Sequence, residues 1–315
     1  MDVVFFGSGA FGLPTLQRLA SEHRVTAVVS QPDRKAGRGA KLTPTPIAAW
    51  AGEHLDAALL KPDRVSEPDV IGQIRAIPAD AWVVIAYGQK LPPALLEDRF
   101  AINLHASLLP RWRGAAPINW AILAGDTQTG NSVITLADRM DAGMVLGQSR
   151  RPIEPSQTAG ELHDLLASDG PELVLSVLAD HEHGRIKPIT QDETLVTHAR
   201  KLSKADATLS FRWPADRCRN RIHGLNPWPG VTVRLAGEPL KLLRAQSVAL
   251  DSESAIEPCR LLDLELGIVG CGDATALRLL EVQPAGKRAM PWADFVRGRA
   301  LPADARLAGE DTPPC

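Results

Sequence analysis

Apolar residues follow one rhythm through the first half of the chain and another through the second. Residues 3–6, 25–29, 82–86 and 101–104 are short, mostly apolar runs that read as buried strands. Between them, residues 13–20, 46–55, 69–76 and 93–97 carry helical spacing or helix-start signals. Alternation of this kind predicts an α/β sheet that is mainly parallel, because parallel neighbours need a crossover and a helix supplies it. Residues 132–136 and 144–146 add two strands, and residues 161–179 predict a long helix.

Beyond about residue 188 the rhythm changes. Residues 189–208 are polar, lack a sustained apolar period and read as a linker. Strand-like segments follow at 231–235, 240–248, 260–269 and 276–282, separated by turn signals such as Pro229-Gly230, Gly237-Glu238 and Gly270-Cys271-Gly272. A compact barrel suits this pattern better than another α/β layer. The expected fold is therefore a Rossmann-like α/β domain over residues 1–188, a linker over 189–208, and a small OB-like β-barrel over 209–315.

Composition narrows the function classes. A length of 315 residues fits about two domains. Hydrophobic content of 44% with 23% charged residues excludes a disordered chain. A net charge of −2 argues against a protein that coats nucleic acid with its whole surface, but leaves room for local basic patches. Cys218, Cys259, Cys271 and Cys315 form no CxxC pair and have no histidine at zinc-finger spacing, so reduced thiols and no metal site are expected. The chain opens directly into a strand-like run and holds no apolar stretch of about 18 residues, so a cytoplasmic protein without a membrane span is expected.

Two motifs compete for the chemistry. Gly7-Ser8-Gly9-Ala10-Phe11-Gly12 satisfies the GxGxxG pattern between a strand and a helix, the context of a dinucleotide fingerprint. The acidic residue needed to hold a ribose is missing, since the next strand closes on Val28-Val29-Ser30-Gln31 and Asp33 falls later, in a turn. A tight strand–helix turn selects glycine for its own reasons. The second motif is Asn103-Leu104-His105 at the end of a buried strand. Alternation puts Asn103 and His105 on one face and Leu104 on the other. Farther on, Met140-Asp141-Ala142-Gly143 places a carboxylate in a loop between strands. An amide donor, an imidazole and a carboxylate suffice for acyl transfer: Asn103 can donate to a developing oxyanion, His105 can handle a proton, and Asp141 can orient the imidazole or a water. Taken alone, a strand-end Asn and His are more often structural.

Asn103-Leu104-His105 with Ser107-Leu108-Leu109-Pro110, and Asp141 beyond them, resembles the active site of the folate-dependent formyltransferases. That family moves the formyl group of 10-formyltetrahydrofolate to an amine. Further segments are similar to its methionyl-tRNA branch: Gln31-Pro32-Asp33-Arg34 through Gly37-Arg38-Gly39 and Lys41-Leu42, then Trp112-Arg113-Gly114-Ala115-Ala116-Pro117-Ile118, Asn226-Pro227-Trp228-Pro229-Gly230, and Gln283 through Met290. The resemblance covers nearly the whole chain. It departs at Gly7-Ser8-Gly9-Ala10, where the family reads Gly-Thr-Pro, which leaves the contacts of the first turn open.

The resemblance implies catalysis by Asn103, His105 and Asp141, with formyl transfer to the α-amino group of methionyl initiator tRNA for translation initiation. It implies backbone contacts to the folate from Ala86, Tyr87, Gly88, Gln89 and Leu91, and further folate contacts from Ser107, Leu108, Leu109, Pro110 and Thr135. Arg34, Lys35, Arg38 and Lys41, interleaved with glycine, suit a loop that orders on an acceptor stem. Lys201, Lys204 and Arg217 belong to a second basic stretch, running from Arg200 to Arg221, that suits phosphate contacts. A monomer is expected. The rival acceptor is a small amine or sugar nucleotide; the rival classes are an NAD(P)-linked oxidoreductase and a non-catalytic RNA-binding protein. The first has no use for the basic loop, and the second leaves Asn103, His105 and Asp141 without a role.

Overall fold

The structure, a computed structural model, describes residues 1–36, 41–249, 256–302 and 304–309. Contacts divide the chain into two compact units that interleave in sequence. The first comprises Met1–Gly114, Gly130–Arg151 and His163–His198; the second comprises Ala115–Thr129, Pro152–Leu162 and the chain from Ala199 onward.

The first unit is built on a sheet of β1 (Asp2–Gly7), β2 (Arg24–Val29), β3 (Ala58–Leu60), β4 (Ala81–Ile85), β5 (Ala101–His105), β6 (Gln128–Thr135) and β7 (Val145–Pro152), in the order β7-β6-β5-β4-β1-β2-β3. Five strands, β3-β2-β1-β4-β5, run parallel, and β6 joins antiparallel to β5. Helices α1 (Leu13–Glu22), α2 (Pro46–His54) and α3 (Pro68–Arg75) make the crossovers. Each has proline in its first turn, where the missing N–H costs nothing, and the Thr45 hydroxyl caps α2 by accepting from Ala48 N at 3.0 Å. The chain leaves β1 toward β2 and β3, then returns to β4 on the other side. That reversal opens a crevice at the carboxyl ends of β1 and β4.

The GxGxxG turn is filled by protein contacts. A Cβ on Gly7 would lie 2.4 Å from the Phe5 ring, and one on Gly12 would lie 3.2 Å from Ile85. Ser8 Oγ donates to Tyr87 O at 2.9 Å and accepts from Gln31 N at 3.1 Å. The glycines serve the close approach of strand, turn and helix, and Ser8 ties the ends of β1, β2 and β4 together.

The second unit carries an antiparallel sheet of β8 (Val231–Leu235), β9 (Glu238–Val248), β10 (Leu261–Asp263), β11 (Ile268–Gly270), β12 (Ala276–Pro284) and β13 (Leu307–Gly309), in the order β10-β11-β12-β9-β8-β13. A bridge between Arg260 and Arg306 links the two ends and nearly closes the barrel. The single strand expected over residues 260–269 is two short strands that pair with each other antiparallel, because the chain turns back between them near Gly267, whose φ is 70°. Three helices lie outside those the sequence predicts: α4 (Pro117–Ala124) and, beyond the long α5 (Ala159–Glu182), α6 (Ala215–Gly224) and the short α7 (Trp292–Val296). In α6 the buried positions Ala215, Cys218 and Ile222 share a face but are hidden among arginines and polar residues. Residues 189–208 hold two single-turn helices, Glu193–Leu195 and Lys204–Asp206, and a short strand, His198–Ala199. Cys218 and Cys271 are free and buried, whereas Cys259 is disulfide-bonded, which corrects the expectation of reduced thiols at that position. No helix among the described residues is long and apolar enough to cross a membrane.

His223, in the second unit, is buried between two backbone groups. One ring nitrogen faces Pro155 O at 3.2 Å and the other accepts from Ala245 N at 3.1 Å. A carbonyl can only accept, so the proton sits on Nδ1 and the ring is neutral. Burial, aided by the positive charge of Arg219, pushes its pKa down to about 4. That lies below the unfolded value of about 6.5, so the unfolded chain binds more protons in between. The contribution, roughly 3 kcal/mol, is complete above about pH 6.5 and is lost as pH falls toward 4. Denaturant unfolding from pH 7 to pH 4 should show a steeper loss of stability in the wild type than in His223→Gln; equal slopes would show that His223 does not titrate in this way.

Candidate active site

The first unit brings Asn103, His105 and Asp141 together at one end of its sheet. Strand β5 pairs with β4 on one side and with β6 on the other, with Asn103 opposite Ile134 and His105 opposite Ser132. Leu104 points the other way, where a Cβ on Gly170 of α5 would come within 2.7 Å of its methyl. Apolar packing on that face thus fixes Asn103 and His105 on the opposite one.

His105 is buried at 7% exposure, and its Nε2 lies 2.9 Å from Trp112 O. Because a carbonyl only accepts, Nε2 carries a hydrogen, which selects the tautomer whose lone pair lies on Nδ1. Nδ1 lies 3.6 Å from Asp141 Oδ2, too far for a direct hydrogen bond. The same oxygen accepts from Gly114 N at 2.8 Å. Asp141 therefore faces the imidazole as a charge, and the backbone fixes it. Its φ of 54° is left-handed, a conformation that Asp tolerates at some cost. Asn103 is half-buried, and among the described residues its side-chain amide makes no hydrogen bond.

The proposed folate segments divide into backbone and side chains. Ala86 and Gly88, at the end of β4, are exposed with φ of 48° and 91°, and the Ala86 carbonyl accepts from Gly9 N at 3.4 Å. Tyr87 and Leu91 send their side chains into the apolar core instead. Burial pushes the Tyr87 phenol up to about 12, which keeps it neutral. Gln89 is committed to the fold, accepting from Val65 N at 2.9 Å and donating to Pro62 O at 3.2 Å. Ser107 is fully buried and donates to Arg111 O at 2.6 Å, while Leu109 accepts from Gln148 at 2.9 Å through its carbonyl. Leu108 and Pro110 are half-buried in the same turn. Thr135, at the end of β6, accepts from Met144 N at 2.9 Å through its hydroxyl and closes the base of the Asp141 loop. Gln191 and Arg113, which clamp this loop from behind, were not foreseen; nothing in a polar stretch of sequence distinguishes a buried glutamine from a solvated one.

Among the cations, Arg34 and Lys35 lie on a short strand, Arg34–Ala36, paired with Lys41–Thr43; Arg38 lies outside the described residues. In the stretch from Arg200 to Arg221, several charges are already used within the second unit. Arg200 pairs with Asp206, Arg219 with Asp216 at 2.7 Å, and Arg221 donates to Thr208 O at 2.7 Å. Lys201, Lys204 and Arg217 are exposed and carry no acidic partner among the described residues, with Arg217 lying 4.2 Å over the Trp213 ring. No cluster of three or more His, Cys, Asp or Glu side chains among the described residues could hold a metal ion.

A sequence profile described as formyl transferase matches residues 1–178, and one described as formyl transferase, C-terminal domain, matches residues 201–300. A methionyl-tRNA formyltransferase from Methylobacterium sp. (strain 4-46) is 42% identical over 315 residues, covering 98% of this chain and 99% of its own. One from Methylococcus capsulatus is 41% identical over 305 residues, covering 96% and 98%. Among solved structures, HypX from Aquifex aeolicus in complex with tetrahydrofolic acid matches with a TM-score of 0.59 at 17% identity. The match covers 93% of this chain but 46% of HypX, so this chain spans about half of that protein's length. An N-formyltransferase from Helicobacter canadensis in complex with folinic acid and dTDP-3-aminofucose matches with a TM-score of 0.65 at 13% identity, covering 88% and 98%. At these identities the structural likeness is one of fold.

Proposed function

The chain belongs to the formyl transferase family, and on that premise we propose that it transfers the formyl group of 10-formyltetrahydrofolate to the α-amino group of methionyl initiator tRNA. One observation carries this reading: identity of 42% with a methionyl-tRNA formyltransferase extends over 98% of the chain, both units included. The sugar-directed neighbours share fold alone, so a small amine or sugar nucleotide is the weaker acceptor. The reaction belongs in the cytoplasm, where charged tRNA is used, and a monomer suffices for it.

The residues present fit a flat folate ring and a reactive carbonyl: exposed backbone at Ala86 and Gly88, and an amide at Asn103 with no protein partner among the described residues. The co-substrate supplies the formyl group when bound. Asn103 donates to the formyl oxygen as charge develops there, a role worth about 2.7–4 kcal/mol per donor. His105 takes up the proton of the attacking amine at Nδ1, the nitrogen left with a lone pair, and would return it to the folate nitrogen as that nitrogen's bond to the formyl carbon breaks. Asp141 then stabilises the positive ring across 3.6 Å. General acid–base help of this kind gives about 10²–10⁴-fold. Arg34, Lys35, Arg38 and Lys41 guide the acceptor end, while Lys201, Lys204 and Arg217 hold phosphates farther along the tRNA.

A formylation assay comparing methionyl initiator tRNA with methionyl elongator tRNA and free methionine tests the acceptor, and only the initiator should turn over efficiently. Neutralising Lys201, Lys204 and Arg217 together should raise KM for tRNA and leave kcat nearly unchanged. It should also shallow the salt dependence, by about 0.7–0.9 in log–log slope for each phosphate that is no longer neutralised. Efficient use of free methionine, or a triple variant with unchanged KM and salt slope, would favour a small-amine acceptor.

A further inference from the structure

Behind the Asp141 loop lies a buried polar clamp with no surface of its own to serve. Gln191 is 7% exposed, and its Nε2 donates to two carbonyls of the loop, Asp141 O at 2.8 Å and Gly143 O at 2.7 Å. Its Oε1 accepts from Arg113 Nε at 3.0 Å. Arg113 is itself only 5% exposed, and its charge is balanced by Glu193 at 2.9 Å. Glu193 also pairs with Arg139 of the same loop at 3.0 Å. The residue after Arg113, Gly114, gives its N–H to the Asp141 carboxylate.

We infer that Gln191, oriented by Arg113, is a positioning residue that sets the backbone of the Asp141 loop for formyl transfer; this rests on the role proposed above for Asp141. An unassisted glutamine amide could turn over and exchange its oxygen and nitrogen. Here a turned amide would set its oxygen against two carbonyl oxygens and its NH2 against the Arg113 N–H, which is unfavourable at both ends. The guanidinium therefore locks the orientation in which both hydrogens of Nε2 reach the loop. These two bonds fix the carbonyl of Asp141 and the one two residues on, and help hold the left-handed φ of 54° at Asp141. Without them the loop can relax to an ordinary conformation, and the carboxylate moves away from Nδ1 of His105. The sequence separation of about 50 residues between Gln191 and the loop makes this a purely tertiary device.

Two substitutions test it. Gln191→Met keeps the length and removes all three hydrogen bonds, whereas Gln191→Glu keeps the acceptor for Arg113 and, when ionised, loses both donations. Each should lower kcat for methionyl-tRNA about 10-fold with both KM values within about threefold, as expected of a misplaced group. Backbone amide exchange over residues 138–144 should quicken in both. In Gln191→Glu, activity relative to wild type should recover as pH falls and the new carboxyl regains a hydrogen to donate, while Gln191→Met shows no such recovery. A purely structural glutamine would lower Tm and leave kcat of the folded enzyme unchanged. Wild type and Asp141→Asn are measured in parallel. If Asp141→Asn keeps wild-type kcat, the role of Asp141 falls and this inference with it. If Asp141→Asn loses activity while the folded Gln191 variants do not, the positioning inference alone is overturned. Should Gln191→Met fail to fold, the pH profile of Gln191→Glu decides, and a flat ratio to wild type counts against the inference.

Discussion

Asn103→Ala and His105→Ala should each lower kcat for formyl transfer by about 100-fold or more, and their stabilities should differ in a way that separates chemistry from folding. The Asn103 amide makes no hydrogen bond among the described residues, so truncating it breaks no bond seen there and Tm should stay close to that of the wild type. His105 donates to Trp112 O, and its removal leaves a carbonyl short of a donor, at a cost of about 1–3 kcal/mol. A half-buried amide that is nearly irrelevant to folding yet indispensable to turnover is the signature of a group kept for a substrate. Purified variants should be compared by single-turnover formylation and by thermal melts. A folded Asn103→Ala or His105→Ala enzyme with more than about a tenth of wild-type activity would remove that residue from the mechanism.

The parts of this protein legible in the sequence are those set by local pattern. Strands β1, β2, β4 and β5 are mostly apolar runs, and the alternation Asn103-Leu104-His105 is enough to assign faces, because Leu104 has to find a core and does so beside Gly170. The barrel was legible from turn residues spaced between apolar segments. What stayed hidden depends on which residues meet in space. Charge along the stretch from Arg200 to Arg221 could be counted, but not that Arg200, Arg219 and Arg221 are spent on Asp206, Asp216 and backbone oxygens. A folate loop could be proposed at Ala86 to Leu91, but not that Tyr87 and Leu91 face the core and Gln89 holds residues 62–65, leaving only peptide groups to a ligand. Gln191 was invisible for the same reason, since its three partners are all distant in sequence. The helix α6 escaped because its buried stripe is a small residue, a cysteine and an isoleucine set among arginines.

Gly143→Ala should be the most damaging conservative change near the site, by a route that touches none of the proposed catalytic side chains. A Cβ there would lie 1.7 Å from Thr135 O and 2.6 Å from Thr135 C, contacts with backbone that no rotamer change can relieve. The loop cannot swing aside without loss, because Thr135 N donates to Met144 O at 2.9 Å and Met144 N donates to Thr135 Oγ1 at 2.9 Å. Either those bonds break and the segment carrying Asp141 moves, or the end of β6 moves. The second choice is no milder, since β6 pairs Ile134 with Asn103 and Thr135 with Ile102. A shift of about 1 Å in a catalytic group can cost about 100-fold, so kcat should fall by that order, together with a loss of stability of about 1–3 kcal/mol from overpacking. Gly72→Ala is the matched control. It lies on α3 with nothing within 4 Å of the added carbon, and should raise stability by up to about 1 kcal/mol with kcat unchanged. Measuring Tm and kcat for both variants sets a steric effect at the loop against a helix-propensity effect elsewhere. If Gly143→Ala matched wild type in both quantities, the Asp141 loop would not be held against Thr135 as described, and its geometry could not govern the reaction.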